Sequence, residues 1–69
     1  MNLDNLVFAD QILNSARGIL SDRDFDLFES NLVYGVSFQK LADEYETSAS
    51  RVGQIIAKSI RKTLNHLGN

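Results

Sequence analysis

The sequence predicts a small all-α domain of four helices, the last two arranged as a helix-turn-helix. Three observations carry that prediction. Apolar residues recur at three- and four-residue spacing in four separate blocks. Three serines, Ser21, Ser37 and Ser48, stand where a new block begins. No alternating run is long enough for a strand. At 69 residues the chain suits one domain spanning 1–69, with a core that must be economical.

The first helix is expected over about 4–17, where Leu6, Phe8, Ala9, Ile12, Leu13 and Ala16 form one apolar stripe. Ser21 reads as the cap of a second helix, about 22–34. Asp22 and Asp24 lie in its first turn, where the helix dipole favours negative charge. Its expected buried residues are Phe25, Leu27 or Phe28, Leu32 and Val33. Ser37 caps a short third helix, about 38–45, presenting Phe38, Leu41, Ala42 and Tyr45. Ser48 caps the longest, about 49–66, with Val52, Ile55, Ile56, Ile60, Leu64 and Leu67 on its apolar side. Breaks in periodicity at Gly18, Gly35 and Gly68 read as helix ends, where glycine accepts a left-handed conformation.

Composition narrows the function classes. Without cysteine there is no disulfide framework and no thiolate metal site. The single histidine, His66, sits near the chain end, where it complements a helix dipole and has no second imidazole beside it. Asp22, Asp26 and Glu29 can share a helix face, but capping and solvation account for them better than a cation does. Asp43, Glu44 and Glu46 read as a solvated helix end. No glycine-rich phosphate loop exists, so no catalytic residue, no metal and no cofactor is expected. No apolar run approaches the roughly 18–20 residues of a membrane span, and the start of the chain lacks signal-peptide character. A soluble, cytoplasmic protein is expected.

Charge is unevenly distributed. Residues 1–46 carry nine acids against three bases, whereas residues 47–69 carry Arg51, Lys58, Arg61 and Lys62 with no acid. A basic segment attracts phosphate, while the acidic remainder weakens that attraction at long range. Any affinity of the free chain for DNA is therefore expected to be low.

The third and fourth helices are separated by about three residues, so they must cross steeply and share a small core. Ala42 supplies the small residue that such a crossing needs. Val52 and Ile55, ten and thirteen positions later, supply the facing apolar residues, and Leu41 and Tyr45 complete the seam. Four residues after Ala42, where glycine is usual, stands Glu46; a left-handed glutamate costs on the order of 1 kcal/mol. Arg51, Gln54, Lys58 and then Arg61 with Lys62 recur every three or four residues, as a reading face would. Arginine can donate two hydrogen bonds to guanine and glutamine can pair similarly with adenine, while the C-terminal cations suit phosphates. Ser48 and the helix N-terminus add donors for a phosphate.

The segment Arg51-Val52-Gly53-Gln54-Ile55-Ile56-Ala57-Lys58-Ser59-Ile60-Arg61-Lys62 resembles the closing helix of region 4 in the bacterial sigma-70 family. Ile19-Leu20-Ser21-Asp22-Arg23-Asp24 is similar to the family's cluster opening an earlier helix. Tyr34-Gly35 resembles that helix's end, and Ser37 to Tyr45 resembles the first helix of the family's helix-turn-helix. The resemblance covers roughly residues 12–64. It implies a transcription regulator contacting double-stranded promoter DNA at the −35 element, together with the β flap of bacterial RNA polymerase. It implies as DNA-contacting positions Ser48, Ala49, Ser50, Arg51, Gln54, Lys58, Arg61 and Lys62.

The chain departs from the family at several of these positions. Ala49 and Ser50 stand where an arginine or other polar residue and a glutamate are usual, and Gly53 where a second arginine is common. Gly53 reflects either close backbone approach or simple tolerance. Ile56 replaces a typical glutamate and is either core or a contact for polymerase or another copy. Nothing corresponds to the family's −10 and DNA-opening regions, so an excised domain or a free-standing regulator is expected. A protein-interaction module that uses the same fold without reading DNA is the second reading, and a homodimer through the first helix the third.

Overall fold

The computed structural model describes the backbone of residues 3–68 and the side chains of residues 10–68. Four helices follow in order, α1 (Leu3–Ile19), α2 (Asp22–Leu32), α3 (Phe38–Glu44) and α4 (Ala49–Gly68), and the described residues contain no strand. The all-α class read from the apolar periodicity is therefore the observed one. The expected burial of Leu6, Phe8 and Ala9 lies outside the described side chains.

Each serine caps as its position suggested. Ser21 Oγ accepts the Asp24 N–H at 3.2 Å, Ser37 Oγ that of Lys40 at 3.1 Å, and Ser48 Oγ that of Arg51 at 3.0 Å. Such caps satisfy amides that have no partner within the helix. Helix ends differ more. Gly18 does not end α1, which runs on through Ile19 with no left-handed residue there. The helix stops where Ser21 turns extended to cap α2. Gly68 is the last residue of α4 and is likewise not left-handed. Gly35 does adopt a left-handed φ of 69°, and α2 ends at Leu32 instead of 34. The loop is tied off by Gly35 N–H to the Asn31 carbonyl, Val36 N–H to the Ser30 carbonyl, and Asn31 Nδ2 to the Val36 carbonyl.

The core is built around α4, which packs against all three other helices, while α2 and α3 barely touch each other. Leu27, Leu41, Ala42, Val52, Ile55 and Ile56 form one buried cluster, flanked by Val36, Ala49 and Ile60. Leu27 and Phe28 are both buried, because α2 sits in the angle between α1 and α4 and presents two adjacent faces to them. Burial of each such side chain contributes about 1.5–3 kcal/mol. Ser59 and Thr63, polar and fully enclosed, donate their hydroxyls to the carbonyls four residues back, Ile55 and Ser59, at 2.8 Å. No polar cost remains unpaid there.

Several expected core residues are at the surface. Leu32 is 51% exposed and Val33 nearly as much, since the helix unwinds just after Leu32 and Val33 leaves the apolar register. Phe38 and Tyr45 are also exposed, because α3 has only seven residues and its two ends overhang the crossing. Leu64 and Leu67 lie beyond the main core cluster on the last turns of α4 and remain partly exposed.

Candidate nucleic-acid interface

The site begins with the turn between α3 and α4. Thr47 N–H reaches back to the Ala42 carbonyl at 2.9 Å and Glu46 N–H to the Asp43 carbonyl at 3.4 Å. That crossed pair, with a left-handed residue between helix end and loop, is a Schellman motif. The left-handed residue is Glu46, at φ 55°. The expectation from its position after Ala42 is met, including the strain a non-glycine carries there. Val52 N–H then bonds the Ser48 carbonyl at 3.0 Å and α4 begins. Ala42 and Val52 are fully buried and Ile55 nearly so, as the crossing requires.

With that side of α4 inward, the opposite side is solvent-facing. Arg51, Gln54, Lys58, Arg61 and Lys62 are all exposed, as are Ser48 and Ser50. Ala49 is half-buried and packs on the core. Ile56, 2% exposed, belongs to the core, so its reading as a surface contact is overturned. Gly53 faces α3: a Cβ there would meet Phe38 Cε2 at 3.3 Å, which supports close approach over simple tolerance.

Arg51, Gln54, Lys58 and Lys62 line an open cleft of about 250 Å³, floored by Ile55 and Ser59. Spacings of three and four residues keep these four in a row along α4. Arg61, one residue from Lys62 and so about 100° around the helix, is exposed outside that cleft. Ser48, Ala49 and Ser50 do not line it either.

The opposite wall comes from α2 and supplies Arg23 and Asp24. Arg23 donates from Nε and Nη2 to one oxygen of Asp24, at 3.1 and 2.9 Å, and its side chain stays 54% exposed. Among the described residues, Arg51, Lys58, Arg61 and Lys62 form no ion pair. The cleft thus gathers four cations and one carboxylate, and the carboxylate is engaged with Arg23. Neither Arg23 nor Asp24 stands out as part of this site in the linear sequence. They lie 27 or more residues before Arg51, and only the fold joins them.

A second link ties the turn to α2. Tyr45, the C-cap of α3, donates its hydroxyl to an oxygen of Asp26. Holding that proton against a carboxylate, with some desolvation and the nearby charges of Asp26 and Glu44, pushes the phenol up to about 12, against a small opposing effect of Arg23. Asp26 therefore serves the tyrosine instead of a cation face with Asp22 and Glu29. No group of His, Cys, Asp and Glu among the described residues is placed to hold a metal, and no described helix is long and apolar enough to cross a membrane.

Away from this face, an apolar groove of about 290 Å³ runs between α1, α2 and α4, lined by Ile12, Phe28, Leu32, Ile60, Thr63 and Leu64. Comparison with protein-family models, with curated proteins and with solved structures returns no match for this chain.

Proposed function

We propose that this chain is a DNA-binding regulator of transcription whose α4 enters the major groove of duplex DNA, acting at promoters together with RNA polymerase. The observation that carries the reading is the row of unpaired Arg51, Gln54, Lys58 and Lys62 on one exposed side of α4, faced across a cleft by Arg23. Arg51 and Gln54, nearest the helix start, are the residue types that read base edges, and Lys58 and Lys62 suit phosphates. The resemblance to sigma region 4 supports the same assignment and adds the polymerase flap as partner. The acidic remainder of the chain opposes free binding, so partner assistance is part of the proposal. The cleft carries no aromatic side chain on which an unpaired base could stack, which favours duplex over single strands.

The test is a footprint on promoter DNA with polymerase, with and without the protein, alongside a titration of isotope-labelled protein with a −35-type duplex. Shifts concentrated at Arg51, Gln54 and Lys58 support the reading. An unchanged footprint together with unmoved signals ends it.

The apolar groove favours a second reading, a module that binds polymerase or another protein without reading DNA. The exposed Leu32 and Leu64 that line it are what a partner helix would cover. Polymerase retained from lysate after nuclease treatment, with no DNA shift at low salt, supports this alternative. Sedimentation at micromolar concentration separates both from a homodimer through α1.

A further inference from the structure

We propose that the Tyr45–Asp26 hydrogen bond is a latch that sets the width of the basic cleft, making Tyr45 a positioning residue for the Arg23 wall. The cleft has two walls on different helices, and the distance between them governs whether one backbone can touch both. The α4 wall is fixed by the core, through Val52, Ile55 and Ile56. The other wall is less restrained. The buried residues of α2 are Leu27, at its middle, and Phe28 just beyond, whereas Arg23 and Asp24 sit in its first turn.

Other holds on the N-terminal half of α2 are its two-residue link to α1 and Phe25. Phe25 is half-buried, with the Arg17 guanidinium 5.4 Å from its ring. α2 and α3 barely touch through their backbones. Asp26 lies one turn beyond Arg23, and its carboxylate is where the Tyr45 hydroxyl ends. Tyr45 in turn immediately precedes Glu46, Thr47 and the Ser48 cap of α4. The bond therefore joins the second turn of one wall's helix to the turn that launches the other. Packing does not explain Tyr45 well, since 36% of it is exposed; its hydroxyl contact is its most specific interaction.

This proposal rests on the reading that the cleft takes a phosphate backbone, but its first test does not. The chain has no cysteine, so spin labels can be placed uniquely at Asp22→Cys on α2 and Ala57→Cys on α4, both exposed. A narrow distance distribution is expected for the parent and for Asp26→Asn, which keeps an acceptor oxygen. A broadened one is expected for Tyr45→Phe and Asp26→Ala. Equal widths in all four overturn the latch. The second test is duplex binding across a salt series. Tyr45→Phe is expected to weaken binding about tenfold and to reduce the salt slope by about 0.9, the share of one phosphate. In an Arg23→Gln background it is expected to cost nothing further. An equal loss in that background shows a merely structural tyrosine and also overturns the latch. A parent that binds no duplex and leaves the polymerase footprint unchanged sinks the DNA reading instead, and the label distances still decide this one.

Discussion

Gly53 lies beneath the ring of Phe38, so close that a Cβ on it would sit 3.3 Å from Phe38 Cε2. The contact joins the first residue of α3 to the second turn of α4, and neither residue lines the cleft. It accounts for a glycine inside a helix, where glycine costs about 1 kcal/mol relative to alanine. Phe38 is partly exposed, so its ring can shift by a few tenths of an ångström. Gly53→Ala is therefore expected to stabilise the fold by only about 0.5 kcal/mol, because the contact offsets part of the propensity gain. In a Phe38→Ala background the same substitution should recover about 1 kcal/mol. Urea denaturation of the four proteins checks this; equal increments in both backgrounds would show that the ring does not restrain this position.

Glu46 holds a left-handed backbone that costs an L-residue about 1–2 kcal/mol. Glu46→Gly relieves that strain at the price of extra freedom in the unfolded chain, for an expected gain of about 1 kcal/mol. Glu44→Gly, two residues earlier at the last residue of α3, where the backbone is not left-handed, is expected to move stability the other way. Thermal melts of the two variants decide it, and destabilisation by Glu46→Gly would mean that the turn has another shape.

The proposed reading face makes different demands on its two ends. Arg51→Ala is expected to lose about 1–3 kcal/mol of discrimination between cognate and altered sites. Lys62→Ala should weaken all duplexes alike and lower the salt slope by about 0.9. Competition binding at several salt concentrations separates the two. A Lys62→Ala variant that changes sequence preference, or an Arg51→Ala variant that does not, contradicts the assigned roles.

Tyr45 carries a pH signature. Its phenol titrates at about 12 in the folded protein against 10.0 ordinarily, so the folded state holds the proton more tightly. The resulting stabilisation is fully present below pH 10 and is lost as the pH rises from 10 toward 12. Because the ring is partly exposed, solvent screening keeps the contribution small. Absorbance titration near 295 nm on a Tyr34→Phe variant reads Tyr45 alone. Ionisation near 10 would show that the bond to Asp26 does not form in solution.

Local sequence determined a good deal here. Helix starts were legible from Ser21, Ser37 and Ser48, because a cap needs only a side-chain oxygen within three residues of its amide. The inward side of α4 was legible from the spacing of Val52, Ile55 and Ile56, and the left-handed turn from the distance between Ala42 and Glu46. Helix ends were less so. Gly18 lies inside α1, since glycine permits a stop without imposing one.

What tertiary structure alone decided is which side chains from distant segments meet. Arg23 and Asp24 face Arg51 across the cleft, Tyr45 meets Asp26, and Phe38 covers Gly53. Leu32 and Leu64 stay largely at the surface although their spacing suits a core, because α2 ends at Leu32 and Leu64 lies beyond the main core cluster. Periodicity reports which side of a helix is apolar, a property of neighbours along the chain. How far that side is covered, and which charges lie opposite, depends on how the helices cross.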